Sequence, residues 1–271
     1  MTTNALLISL AVALTASSAA AACPSPAENS IEIYPTANEL PENLLRMYIY
    51  YPRPMAVTEG LKHVALLDRT GERIDHAFLA TNQELWSPDK TRLTVLLDPG
   101  RVKSGLEAHE LLGRALVPGQ SYTLVVSGTA MDANGCPLGV DGKYNFSVTV
   151  ADDDPPAPAA WSVDAPRLAS TDPVRVDLGS THDHLSMAYR LRVVDDAGNA
   201  MPGSIALGAH EAEWFFTPRL PWSDAEYAVA VDQRLEDLAG NRPGVLFDRP
   251  TSFEPMEWQD RLPFTPTKKP D

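Results

Sequence analysis

The sequence predicts an all-β protein of two tandem antiparallel β-sandwiches, and three observations predict it. First, a strand-and-turn pattern occurs twice: YTLVVSGTAMDANGCP from Tyr122 to Pro137 returns as YAVAVDQRLEDLAGNRP from Tyr227 to Pro243. Tyr122 stands ten residues before Asp132 and thirteen before Gly135, and Tyr227 stands ten before Asp237 and thirteen before Gly240. Second, Pro 24 and Gly 16 punctuate a chain that is 44% hydrophobic, and both residues bound extended segments while breaking helices. Third, apolar residues alternate with the period of a strand. In LLRMYIYYPRPM, Leu45, Met47, Ile49 and Tyr51 fall on one face and Arg46, Tyr48 and Tyr50 on the other.

The remaining elements follow in order. Residues 1–22 read as a signal peptide, an apolar run ending in small residues before Cys23. SIEIYPTANELPENLL supplies a first strand around Ile31 to Tyr34. HVALLD and RIDHAFL flank an RTGE turn and predict a hairpin, and TRLTVLLDPG is a strand stopped by Pro99 and Gly100. Residues 100–117 form an insert that the second half lacks: the step from Pro99 to Tyr122 is 23 residues, against 9 from Pro218 to Tyr227. Three aspartates and three prolines at 151–160 predict a stiff, solvated linker between domains at 23–150 and 161–257. The second half then repeats the programme, with a turn at Asp196 to Asn199 and with Trp214 and Phe216 matching Leu93 and Val95 as core residues. The stretch 258–271 is expected to trail over the surface.

Lys+Arg 22 against Asp+Glu 36 gives a net charge of −14, a field that repels phosphate backbones and anionic headgroups and argues against nucleic acid or a membrane surface as partner. No stretch after the signal predicts a transmembrane segment. Only two cysteines occur, and two readings of them stand open. Ala20, Ala21 and Ala22 before Cys23 resemble a bacterial lipoprotein box, which implies a lipid anchor at Cys23; alternatively Cys23 pairs with Cys136 in an oxidising compartment.

At the turns and around Pro54-Met55, each half resembles the bacterial immunoglobulin-like domain of S-layer and other cell-envelope proteins, with Tyr-Thr-Leu-x-Val strands ending in Asp-x-x-Gly turns, here Asp132 to Gly135 and Asp237 to Gly240. DPGRVKSGLE, DHLSMAYRLRV, WFFTPRLPW and LEDLAGN together resemble a family of exported proteins made of two such domains. The resemblance implies an immunoglobulin-like sandwich of about seven strands per domain. It implies export to the periplasm or surface of a bacterium, and it names no reaction.

Three constellations are candidates for chemistry. His182 and His184, two apart, share a face if their segment is extended; with Met187 and a third histidine, His210, they form a candidate copper site. The alternative role for Asp183 and His184 is to cap a loop. The Asp-x-x-Gly turns carry oxygen donors, yet their simpler role is turn geometry, with aspartate accepting backbone amides and glycine taking the left-handed conformation. In the insert, Arg101, Lys103, His109 and Arg114 form a cationic cluster that suits an acidic partner. No serine sits in a glycine-flanked elbow and no cysteine looks catalytic. The expectation is therefore a non-enzymatic interaction or spacer module engaging an envelope protein or glycan, with a periplasmic copper-binding protein as the alternative.

Overall fold

The computed structural model describes residues 23–25, 30–58, 60–81, 83–98, 113–247 and 260–268. The signal segment and Arg101, Lys103 and His109 lie outside the described residues. Two sandwiches follow one another. In the first, β1 (Glu32–Tyr34), β3 (Arg46–Tyr50), β6 (Arg92–Leu96) and β5 (Leu85–Trp86) make one sheet in the order β1-β3-β6-β5. The facing sheet, β2-β8-β7-β4, is made by β2 (Glu39–Pro41), β8 (Gly142–Thr149), β7 (Ser121–Val126) and β4 (Val64–Asp68), with β2 parallel to β8. In the second, β9 (Ser162–Asp164), β10 (Val174–Asp177), β13 (Glu213–Pro218) and β12 (Gly203–Leu207) face β11 (Leu191–Asp195), β14 (Tyr227–Val231) and β15 (Arg261–Phe264). Sheet orders β9-β10-β13-β12 and β11-β14-β15 are the ABED and CFG sheets of an immunoglobulin-type Greek key, and the first sandwich repeats them with one added edge strand.

The strand alternation has the expected consequence. Met47, Ile49 and Tyr51 enter the first core beside Leu93, Val95, Val64, Leu124 and Val126. Trp214 and Phe216 enter the second core with Val174, Val176, Val193 and Val229. The repeated tyrosine has a role that its spacing alone did not disclose. At the start of β7, the Tyr122 hydroxyl accepts from the Val117 amide at 3.1 Å, and at the start of β14 the Tyr227 hydroxyl meets Ser223 Oγ at 2.7 Å. Both are tyrosine corners, which tie β7 and β14, the F strands of the two sandwiches, to the connections leading into them.

Three expectations are corrected. The hairpins at RTGE and at Asp196 to Asn199 make their turns, with Gly71 at φ 85 and Gly198 at φ 84, but neither is completed. After a single bridge from Leu67 to Arg73 the chain crosses to the other sheet, where Phe78 bridges Leu97; β12 likewise leaves β11 and pairs with β13. A sandwich needs that crossing between its third and fourth strands. The stretch after Trp258 does not trail over the surface: Arg261–Phe264 is β15, paired with β14, and Leu262 and Phe264 are buried in the second core. Nor is the linker freely solvated. Pro156 and Pro158 are buried, and the Asp152 carbonyl accepts from Asn43 Nδ2 at 3.0 Å and from Asn241 Nδ2 at 2.9 Å, one donor from each sandwich.

Cys23 is disulfide-bonded to Cys136. The bond occupies the sulfur that a thioether-linked lipid would need. Reduction should therefore add the mass of two hydrogens and no lipid should be found in an intact-mass measurement. Cys136→Ser should lower stability by about 2–4 kcal/mol, read by chemical denaturation.

Candidate functional site

The chemistry of the chain gathers where the two sandwiches meet. Because β3 alternates, the face opposite its core residues carries Arg46, Tyr48 and Tyr50, and the second sandwich covers it. Asp183 caps the short helix α1 (His184–Arg190): its Oδ1 accepts the Ser186 amide at 2.8 Å, so the capping role is the one observed. Its Oδ2 accepts Arg46 Nε at 2.8 Å and the Tyr48 hydroxyl at 2.7 Å. Arg46 Nη2 also donates to Glu236, whose other oxygen accepts Arg242 Nη2 at 2.6 Å. Burial pulls the Arg46 guanidinium down, but Asp183, Tyr48 and Glu236 outweigh it and hold it above its ordinary value. Burial, then Asp183, pushes the Tyr48 hydroxyl well above the tyrosine range.

The second Asp-x-x-Gly turn is part of this junction. Leu238, carried by the second sandwich, is 5% exposed and packs in the core of the first, while its carbonyl accepts the Leu45 amide at 2.9 Å. Gly240, at φ 78, approaches so closely that a Cβ there would lie 2.6 Å from Leu45 Cδ2. In the first turn the residue matching Leu238 is Ala133, and it is exposed. Both turns otherwise share one build. Asp132 Oδ1 accepts the Asn134 and Cys136 amides at 2.8 Å, and Asp237 Oδ1 accepts the Ala239 and Asn241 amides at 2.9 Å. In both turns the accepted amides stand two and four residues after the aspartate.

A second contact runs through a strained turn. His210 and Glu211 take φ 61 and φ 49, left-handed values that cost a residue with a side chain on the order of 1 kcal/mol each. The conformation aims the buried Glu211 carboxylate across the junction, where it accepts the Thr36 amide at 2.8 Å and stands 3.5 Å from His184 Nδ1.

The four residues of the candidate copper site are not brought together, a correction with a plain cause. Asp183 starts a helix, so the segment is not extended and the two histidines diverge. His182 turns inward against Trp161, with Nδ1 bonded to the Ser180 carbonyl at 2.9 Å. His184 stacks on Tyr34 with ring centres 3.8 Å apart. Met187 is fully buried in the second core, and His210 Nδ1 donates to the Thr36 carbonyl at 3.0 Å. Among the described residues no group of three His, Cys, Asp or Glu side chains could hold a metal ion. Of the insert cluster, Arg114 is described and pairs with Glu42 at 3.3 Å.

Sequence reasoning missed a different cationic group. A groove of about 270 Å³ at the junction is lined by Arg46, Arg190, Arg234 and Arg242, with Tyr189 72% exposed beside it. These arginines are scattered along the chain, so no local run signalled them; only Met187 and its neighbours in DHLSMAYRLRV lie near one.

Two buried groups give opposite pH dependences. Burial lowers His182 from 6.5 to about 4, so its fold-stabilising neutral form is lost as pH falls from 6.5 towards 4. Burial, then the Asp152 carboxylate, raises Asp237 from 3.8 to about 7, so its contribution is lost instead as pH rises from about 4 to 7. Each amounts to a few kcal/mol at about 1.4 kcal/mol per pH unit, and the two largely cancel between them. His182→Met, which copies Met55, the residue that bridges Asp132 as His182 bridges Asp237, should unmask a stability that falls from pH 4 to 7; Asp237→Asn should unmask one that falls from pH 6.5 to 4. Urea denaturation across that range checks both. Leu238→Ala should cost about 2–5 kcal/mol, and its effect should be seen in the unfolding of the first sandwich, which does not contain it in sequence.

No protein-family model matches the chain, and no curated protein matches it. Among solved structures, it is similar to the S-layer protein SbsC at 15% identity, over 69% of this chain and 21% of that one, with a TM-score of 0.27. It is similar to the N-terminal Ig1-2 module of the Drosophila receptor protein tyrosine phosphatase DLAR at 10% identity, over 76% and 92% of the two chains, TM-score 0.24. Domains MG0-NIE-MG1 of Escherichia coli alpha-2-macroglobulin are matched at 10% identity, over 87% and 71%, TM-score 0.27. The chain thus spans about a fifth of the S-layer chain. The immunoglobulin-like description rests on the strand order and the tyrosine corners.

Proposed function

We propose that this chain is an exported, non-enzymatic interaction module of a bacterial envelope, in which two immunoglobulin-like sandwiches are held at a fixed angle and present the groove between them to an acidic protein or glycan. The observation that carries this reading is the groove itself. On a molecule of net charge −14, four guanidinium groups converge at the domain junction, against the three carboxylates of Asp183, Asp232 and Glu236 with which they pair. Arg234 and Arg242 keep side chains 62% and 48% exposed, and Tyr189 offers an uncovered ring. Arginine recognises carboxylates by paired hydrogen bonds, and an exposed tyrosine stacks on sugar or peptide faces. The buried contacts of Leu238 and Asp183 support the fixed angle, and the Cys23–Cys136 disulfide accords with an oxidising compartment.

The test is direct binding of the purified protein to envelope polysaccharides that carry carboxylates and to the same material after carboxyl reduction. The carboxylate form should bind and the reduced form should not. Arg234→Glu combined with Tyr189→Ala should weaken binding about tenfold or more, a loss of about 1.4 kcal/mol, while the melting temperature stays within a few degrees. Equal binding to both forms, or undiminished binding by the double variant, would remove the groove as the contact surface.

A further inference from the structure

The two Asp-x-x-Gly turns also differ in how their aspartates are paired, and a cavity lies where they do. In the first sandwich Met55 bridges Asp132, and Arg53, two residues before Met55, puts its Nε 2.5 Å from Asp132 Oδ2. Burial pushes the Asp132 carboxyl up, but the Cys136 amide and the Arg53 guanidinium outweigh it and hold it below its ordinary value. In the second sandwich His182 bridges Asp237 in the same way, and the residue two before it is Ser180. Asp237 Oδ2 takes only the neutral Asn241 amide, at 3.0 Å, and among the described residues no Lys or Arg forms an ion pair with Asp237.

Ser180, which holds the position of the missing arginine, borders a cavity of about 360 Å³ together with His182, Asp237, Asp152, Asp154 and Trp161. His182 is 1% exposed. Its Nδ1 faces a carbonyl, which only accepts, so Nδ1 carries the proton and Nε2 is a bare acceptor; Nε2 is buried and has no partner. Three aspartates and a histidine with one buried, unpartnered ring nitrogen thus line one cavity. A buried acceptor left without a donor costs about 1–3 kcal/mol, so the site is complementary to something that donates.

We propose that this cavity binds a compact organic cation with N–H donors, a guanidinium or primary ammonium group, which takes at Asp237 the place that Arg53 holds at Asp132. The charge is met by Asp237 with Asp152 and Asp154, a donor reaches His182 Nε2, and Trp161 with Pro155 and Pro156 supplies the apolar wall. Geometry favours such a group over a metal ion, because no three ligating side chains converge there among the described residues. The site shares no lining residue with the arginine groove.

The probes are methylguanidinium and propylammonium, with tetramethylammonium as a cation of equal charge that lacks N–H, titrated into the full-length mature protein at pH 8 and constant chloride by isothermal calorimetry. Saturable binding of the first two and none of the third is expected. Ser180→Arg should supply the guanidinium from within, raise the melting temperature and weaken probe binding at least about tenfold. N-acetylargininamide separates the two sources of such a group: tighter binding than methylguanidinium assigns the cavity to a peptide side chain, weaker binding to a free amine, and both support the proposal. Should Ser180→Arg fail to fold, Asp152→Asn on the linker must weaken binding instead. No saturable binding by either N–H probe, equal binding by tetramethylammonium, or undiminished binding in a folded Ser180→Arg or Asp152→Asn protein would overturn it.

Discussion

The junction depends on one carboxylate taken out of water. Asp183 is 3% exposed, and an ionised carboxylate so placed is tolerated only when its charge is paired and its lone pairs are used. The helix it caps provides one donor and the first sandwich provides two, Arg46 and Tyr48. Neither sandwich alone could satisfy that group as completely. Separating them would return Arg46, Tyr48 and Asp183 to solvent together with the side chain of Leu238, whose burial alone is worth about 2 kcal/mol. Breaking such a pair from one side costs about 3–5 kcal/mol. The domain angle is thus coupled to the capping of a seven-residue helix.

The linker takes part in the same arrangement. Its Asp152 carbonyl is shared by Asn43 and Asn241, so backbone from between the sandwiches is bonded to both. Burial pushes the Asp152 carboxyl up, and the same carboxylate helps to raise Asp237. Two like charges are brought close where the first sandwich has an opposite pair, Arg53 with Asp132. Asymmetry between two copies of one pattern is where a function can be added without disturbing the fold.

Much of the fold was legible because it rests on local rules. Alternation in β3 separates Met47 and Ile49 from Arg46 and Tyr48, and the acidic-glycine turns follow from the chemistry of aspartate and glycine. What was not legible depends on contacts between distant segments. The Arg46 face of β3 reads as solvent-exposed until a second sandwich covers it. The prolines of 151–160 read as a spacer because nothing local discloses that Pro156 and Pro158 are buried. His182 and His184 read as a pair because their divergence is set by a helix that Asp183 begins, and seven residues with a tyrosine and no repeated apolar stripe are a faint helix signal. The arginine groove draws on three segments far apart in sequence, and only the fold assembles it.

The contrast between Leu238 and Ala133 sets a direction along the molecule. The second sandwich offers its wedge to the base of the first, and the two lock head to tail. At the far end of the first sandwich the matching turn carries a methyl group where the wedge would be, and its neighbour Cys136 is bonded to Cys23. Among the described residues that turn carries no wedge of its own. A wedge repeated in every domain would let a head-to-tail contact propagate without end, and the described turn that could continue it lacks the side chain to do so.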